Sequence, residues 1–185
     1  DPDPVVETAA VGRSTVVVAD PRADGAGTEV GIVDLTADGY RLRLVDHPPA
    51  FDRAGLYGEP RDYPDNAWRF ALFCQAALGA IDAAGGADVI HLHDWHSGPV
   101  VLQRDALAEL VPRLGGTALV LTCHNLAYHG YVPRDQIPDL GPVPPDVAGW
   151  DGVDLLYEAV QRAEVVNTVS PTFAQELSSV APSPA

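Results

Sequence analysis

The sequence predicts an α/β fold in which a parallel sheet is covered by helices on both faces. Three short apolar runs, Asp88 to Leu92, Thr117 to Cys123 and Glu164 to Val169, alternate with helical stretches. That order builds parallel strands joined by crossover helices. Each run also stops at a polar cluster, as a strand does where it leaves a sheet for a loop. The other elements follow in order. Residues 1–14 read as a loose lead-in. Ser14 to Ala19 (STVVVA) is short and β-branched, a strand candidate. After the turn-rich stretch Pro21 to Gly27, Glu29 to Leu35 and Tyr40 to Val45 are two more strands. The second alternates Tyr40, Leu42 and Leu44 with Arg41 and Arg43, so one of its faces is wet. Asp38-Gly39 between them supplies the positive φ of a hairpin turn. Residues 46–66 are rich in Pro, Asp, Gly and Tyr yet carry Phe51, Leu56, Tyr57 and Tyr63, which marks an ordered, functional loop rather than a linker. Asp65 or Asn66 is expected to cap a helix running to about Ala84, apolar nearly all round and therefore buried. Ser97 is the expected N-cap of a helix to about Leu110, with Pro99 in its first turn. A Pro/Gly-rich loop over 130–152 precedes a helix from Asp154 to about Ala163. Ser170-Pro171 starts a last helix, Ser170 capping it. Residues 1–177 form one domain in this reading, and 178–185 a tail or truncation edge.

Composition narrows the function. The 185 residues carry a formal charge of −15, with 26 acidic residues against 11 basic ones, all of them Arg. This excludes the basic face that nucleic acid or an anionic membrane requires. Cys74 and Cys123 are far apart in apolar runs, so no disulfide framework or metal-binding Cys pair is expected. They read as buried thiols of a reducing compartment, and the expected location is the cytoplasm. No stretch approaches the ~20 apolar residues of a transmembrane helix. The start, Asp1-Pro2-Asp3-Pro4, has neither the basic nor the apolar region of a signal peptide. It reads as a piece of something larger.

In open parallel sheets, ligands bind outside the carboxyl ends of the strands. His93-Asp94-Trp95-His96 follows the first of the three apolar runs, the stretch His124 to Gly130 (HNLAYHG) the second, and Ser170-Pro171-Thr172 the third. Three polar clusters on one sheet edge indicate a crevice. Its groups suit a hydroxyl-rich ligand: Asp, Asn and His exchange hydrogen bonds with vicinal hydroxyls, and Trp and Tyr offer flat faces to sugar rings. No Gly-rich phosphate loop occurs. Asp94 and His124 resist a purely structural explanation. By contrast, Trp95 also reads as a packing residue, His96 as a helix cap, His91 as a satisfied core histidine or one that supports a site residue from behind, and Asp62 to Asn66 as a turn. A metal-dependent hydrolase is an alternative: His91, His93, Asp94 and His124, with His96 and His129, resemble a zinc cluster. Trp95, however, stands where the binuclear pattern HxHxDH needs Asp. A further alternative is a glucan-binding module without catalysis, stacking sugars on Trp95, Tyr63 and Tyr128.

Five ordered blocks carry a family resemblance: Phe51 to Glu59 (FDRAGLYGE), Asp62 to Phe70 (DYPDNAWRF), Ala87 to His96 (ADVIHLHDWH), Thr122 to Gly130 (TCHNLAYHG) and Ala163 to Thr172 (AEVVNTVSPT). Together they resemble the bacterial glycogen synthase and plant starch synthase family, over roughly residues 29–177. The resemblance implies the N-terminal, Rossmann-like half of a two-domain GT-B glycosyltransferase. It implies transfer of glucose from ADP-glucose to the non-reducing 4-hydroxyl of an α-1,4-glucan with retention, using no metal and no cofactor beyond the donor. It also implies catalytic roles for Asp94 and His124, with Tyr63 and Asn125 binding substrate nearby; Trp95, His96 and Tyr128 join them as substrate-binding candidates from the strand-end clusters. Two departures stand out. The chain has no Lys, so it lacks the family's Lys-x-Gly-Gly-Leu donor loop, and it lacks the C-terminal domain expected to complete the site. Activity from these residues alone is therefore not expected. His129 replaces the family's usual Gln, and Cys123 precedes His124.

Overall fold

A computed structural model describes residues 9–23, 25–37, 40–108 and 111–179. The elements in chain order are β1 (Ala9–Val18), β2 (Thr28–Ala37), β3 (Tyr40–Asp46), α1 (Pro48–Phe51), α2 (Asn66–Ala83), β4 (Val89–His93), α3 (Pro99–Leu107), α4 (Pro112–Gly115), β5 (Ala118–Cys123), β6 (Tyr131–Pro133), β7 (Gly152–Asp154), α5 (Leu155–Arg162), β8 (Val165–Thr168) and α6 (Pro171–Ser179). Strands β1-β2-β3 form an antiparallel sheet, with Val16 opposite Val30 and Ile32 opposite Val45. The three apolar runs form a parallel sheet in the order β4-β5-β8. A short antiparallel ribbon pairs β6 with β7.

Helix α2 joins the two sheets, which explains its apolar residues on all sides. One side packs Trp68, Leu72, Ala76 and Ala80 on Val18, Val30 and Ile32. The other packs Ala67, Ala71, Cys74 and Leu78 among Ile90 and Leu92 of β4, Leu119 and Leu121 of β5, and the apolar faces of α3 and α5. Each such fully buried Leu or Val contributes about 1.5–3 kcal/mol of transfer free energy. The resulting α/β arrangement, a parallel sheet with flanking helices, is the class expected, but the covering of both faces is not complete: among the described residues the His91 side of β4 is left open. In β4 only Ile90 and Leu92 are buried; Val89, His91 and His93 face solvent on the opposite side. Both cysteines are buried and unpaired. No helix among the described residues is long and apolar enough to cross a membrane.

Several local expectations need correction. Residues 9–14 are not a loose lead-in: they extend β1, paired with β2 from Ala9 to Val18. Ser97 does not cap α3. Its hydroxyl accepts from His93 N (2.9 Å) and turns back to the carbonyls of His93 and Asp94 (3.0 and 2.9 Å), so it secures the strand end. A 3₁₀ turn, Trp95–Ser97, intervenes, and α3 begins at Pro99 with Gly98 before it. A Cβ on Gly98 would sit 2.6 Å from Leu155 O, so α5 abuts the backbone there. Asp65 does occupy the cap position of α2, but its carboxylate is taken by Arg53 at 2.8 and 2.9 Å. Of the two readings of His91, the core one does not hold, because it lies on the open face of β4; it stands instead behind His93, ring centroids 4.4 Å apart, with Nε2 2.7 Å from Thr122 Oγ1. The 178–185 tail begins inside α6, which runs to Ser179. The Asp38-Gly39 turn, residues 1–8, 109–110 and 180–185 lie outside the described residues.

Candidate functional site

Parallel pairing of β4 with β5, His93 beside Thr122, brings Asp94 and His124 to neighbouring strand ends. Asp94 leaves β4 at φ 56°, ψ −173°, the only positive-φ residue besides glycines among the described residues. That region is essentially reserved for glycine and costs a side-chain-bearing residue about 1–3 kcal/mol. The structure shows what compensates. Asp94 Oδ1 accepts from His124 N at 2.7 Å and Asn125 N at 3.3 Å, and Asp94 N donates to Thr122 O at 3.1 Å. The carboxylate thus clamps the start of the loop 124–130 to the end of β4.

Beyond this clamp opens a hollow of about 390 Å³ lined by Tyr57, Gly58, Asp62, Asp94, Trp95, His96, Asn125 and Tyr128, within the roughly 300–1,000 Å³ range of small-molecule clefts. It continues past Trp95, Asp62 and Tyr128 into a second hollow bordered by Tyr63, His129, Tyr131 and Gln136. Five of the residues singled out in the sequence, Asp94, Trp95, His96, Asn125 and Tyr128, therefore share one wall system. Tyr63 borders only the outer hollow, and its hydroxyl already donates to Ala54 O at 2.5 Å. The ring of His124 is not part of the lining. It turns to the open face of β4, where His124 Nε2 lies 3.0 Å from His93 Nδ1.

Trp95 serves both packing and lining. Its ring meets Phe70 edge-on at 5.1 Å and Tyr57 at 5.8 Å, and borders the hydrophobic core. The loop lies against it at Gly130: a Cβ there would fall 2.1 Å from Trp95 Cε3, and φ is +68°. Tyr128, by contrast, is 66% exposed, a flat face open to a ligand. The wall opposite comes from the irregular stretch 52–64. It is held by Arg69, 1% exposed, whose guanidinium donates to Ala50 O (2.6 Å), Leu56 O (3.0 Å) and Asn66 Oδ1 (2.5 Å). Asn66 in turn donates to Tyr57 O at 2.9 Å. Tyr57, Gly58 and Asp62 were not among the sequence candidates for the site. The signal that points to them is the wealth of apolar and aromatic residues in an otherwise turn-rich segment.

Burial, then the negative charges of Asp94 and Asp62, raises the Tyr57 phenol above its usual value, so it stays a neutral donor. Burial lowers His96, keeping that imidazole neutral near pH 7. His93 is lowered by burial and then by the neighbouring His91 and His124. A hollow bearing Asp62 and Asp94 carboxylates, neutral phenols and an amide suits polyhydroxylated, uncharged ligands. Metal chemistry finds less support. His91 Nε2 lies 2.7 Å from Thr122 Oγ1, and His93 and His124 face each other. Among the described residues no group of three or more His, Cys, Asp or Glu side chains is arranged to hold an ion.

Comparison with known proteins identifies the family. The family described as the starch synthase catalytic domain matches residues 5–181. A glycogen synthase of Anaeromyxobacter dehalogenans (strain 2CP-C) is 39% identical over 145 residues, 72% of this chain and 30% of that protein. One from Granulibacter bethesdensis is 40% identical over 154 residues, 75% of this chain and 30% of that protein. Among solved structures, the catalytic domain of starch synthase IV from Arabidopsis thaliana, bound to ADP and acarbose, superposes with a TM-score of 0.75 at 28% identity. The superposition covers 97% of this chain and 37% of that one. The chain thus spans about a third of the length of these relatives.

Proposed function

This chain belongs to the starch synthase catalytic-domain family of glycosyltransferases, and from that premise we propose that it forms the acceptor side of a retaining glucosyltransferase that elongates α-1,4-glucan from ADP-glucose in the cytoplasm. The observation that carries this reading is the common hollow of Asp94, Trp95, His96, Asn125 and Tyr128, drawn from two parallel strand ends. Asp94 and Asn125 would hold acceptor hydroxyls, and Tyr128 and the exposed part of Trp95 would stack on sugar rings. Tyr63 would extend the contact to a further glucose unit. His124 would stand beside the transferred glucose. The contribution of these groups would be positioning and charge stabilisation of an oxocarbenium-like state, without a covalent nucleophile, metal or further cofactor. The adenine nucleotide of the donor is supported by the plant starch synthase, whose structure holds ADP with acarbose. The donor grip would be the task of a second, C-terminal domain, so the 185 residues by themselves would bind glucan without turning over.

The test is a calorimetric titration of the chain with maltoheptaose, alongside incorporation of labelled glucose from ADP-glucose into glycogen. The expected result is millimolar or tighter binding that Tyr128→Ala weakens, with no incorporation. Failure to bind maltoheptaose would remove the acceptor assignment. Incorporation by the chain alone would refute the division of labour between two domains.

A further inference from the structure

The loop that carries Asn125 and Tyr128 is fastened at its far end by a residue that the acceptor reading leaves unused. His129 points both ring nitrogens at acceptors: Nδ1 lies 2.7 Å from Asp154 Oδ2 and Nε2 lies 3.0 Å from Leu126 O. A neutral imidazole carries one N–H and can donate to only one of them; the imidazolium carries two and satisfies both. Asp154 is itself anchored, since its Oδ1 accepts from Tyr157 N at 2.9 Å as the N-cap of α5. The backbone adds Leu156 N to His129 O at 3.0 Å. The ring therefore joins three parts: its own loop through Leu126, the β6–β7 ribbon through Asp154, and the start of α5.

We propose that His129 is a positioning residue for glucan binding: as the imidazolium it latches the loop 124–130 to the N-terminus of α5, and the latch slackens when the ring loses its proton. The link to glucan rests on the function proposed above; the latch does not. Among the described residues Asp154 is the ring's one ion-pair partner. The other charged groups nearby are committed or remote. Glu158 of α5 pairs with Arg162 at 3.0 Å, and Arg134 with Asp151 at the opposite end of the β6–β7 ribbon. Asp62, Tyr63, Tyr128 and Tyr131 share the outer hollow with the ring. The hydrogen bond to Asp154 raises the ring's proton affinity above the ordinary 6.5, burial opposing it and the Asp154 charge and Leu126 O adding to it. A group raised on folding contributes its stabilisation fully below its unfolded value and loses it as pH rises through the folded value. The latch is thus closed in mildly acidic solution and opens above pH 6.5. His93 and His96 are shifted the other way, so their titration falls in a separate, lower window.

The experiment follows the His129 ring nitrogens by NMR in the 185-residue chain from pH 5.5 to 9. The same series measures amide exchange of residues 124–130 and the maltoheptaose Kd. Both nitrogens should be protonated at the low end. Amide exchange in the loop, corrected for its intrinsic pH dependence, should speed up through the ring's own titration. The Kd should weaken by about three- to tenfold across it, the scale of one partly exposed charge-assisted hydrogen bond. His129→Gln should keep binding with a flat pH profile, and Asp154→Asn, which retains an acceptor for Tyr157 N, should bring the ring's titration back down. A ring titrating at or below 6.5, or loop exchange indifferent to its titration, overturns the latch. A responsive loop with a pH-independent Kd overturns its role in binding. A responsive loop in a chain that binds no maltoheptaose at any pH refutes the acceptor reading and leaves the latch standing.

Discussion

Asp94 stores strain that its carboxylate offsets, and the two can be separated by substitution. Asp94→Ala keeps a Cβ at φ 56°, ψ −173°, so it retains the backbone penalty while losing the bonds to His124 N and Asn125 N. The site faces solvent, so those bonds are taken near the low end for a charged acceptor, about 1–2 kcal/mol. Asp94→Gly loses the same bonds but relieves the ~1–3 kcal/mol of strain, less the ~0.5–1 kcal/mol that glycine's extra unfolded-state freedom removes. Glycine should therefore be more stable than alanine here by about 1 kcal/mol, the reverse of their ordinary order. Asp94→Asn, which keeps an oxygen acceptor, should fall between wild type and alanine. Urea unfolding of the four proteins reads this ranking directly. Maltoheptaose titration of the same samples should show glycine and alanine both impaired, because neither can hold the loop or a sugar hydroxyl. If alanine is as stable as glycine, the strained conformation is not what the native chain adopts and the clamp argument fails. If glycine binds as well as wild type, the carboxylate has no part in ligand contact.

Two further substitutions test the walls of the hollow. Gly130→Ala would place a methyl 2.1 Å from Trp95 Cε3 at a φ of +68°; the ring must move, with a cost of about 2–4 kcal/mol from overpacking and strain together. Its signature is a shifted Trp fluorescence spectrum together with weakened maltoheptaose binding; an unchanged spectrum would show that the loop does not rest on the indole. Arg69→Met leaves the carbonyls of Ala50 and Leu56 and the Asn66 oxygen without their donor, a loss of roughly 3 kcal/mol after the relief of burying one charge fewer. Thermal unfolding should report that loss, and limited proteolysis should cut first within residues 52–64. Resistance equal to wild type would mean that Arg69 does not hold this segment.

How far the sequence discloses such a site depends on the range of the interactions that build it. The three parallel strands are legible because each is a short run rich in Val, Ile and Leu set between helical stretches, although only β5 is apolar along most of its length. The polar groups after them are legible because strand ends face the ligand edge. The direction of each side chain is not. Strand alternation puts His91 and His93 on one face, but whether that face is covered depends on packing far from either residue, and here it is open. His124 follows β5 directly, yet its ring goes to His93 rather than into the hollow, because Asp94 takes its backbone amide from the other side. Ser97 has the chemistry of a helix cap, but a 3₁₀ turn places the carbonyls of His93 and Asp94 within its reach. His129 stands out in the sequence only as a replacement for the family's usual Gln; its contact with Asp154 is not legible there, because Asp154 lies far along the chain.

The division created at Asp94 has a mechanistic consequence. On one side of its backbone lie Trp95, His96, Asn125 and Tyr128 around the hollow; on the other lie His91, His93 and His124 on the bare face of β4. A group that acts on a transferred sugar must reach it, so in the proposed reaction either His124 swings away from His93 or the sugar approaches from the histidine side of the clamp. The first route breaks a 3.0 Å contact between two rings. That contact is a hydrogen bond only while one of the two facing nitrogens carries a proton and the other does not. The second route leaves the histidines as they stand and requires Asp94 to present its Oδ2 across the strand end. His93→Phe distinguishes the routes. It removes the partner nitrogen while keeping a ring of similar size. It should therefore increase the pH-independent freedom of the His124 ring, seen as narrowed and averaged imidazole resonances, without disturbing maltoheptaose affinity in the hollow. A loss of affinity equal to that of Asp94→Ala would instead tie the histidine face and the hollow into a single binding surface.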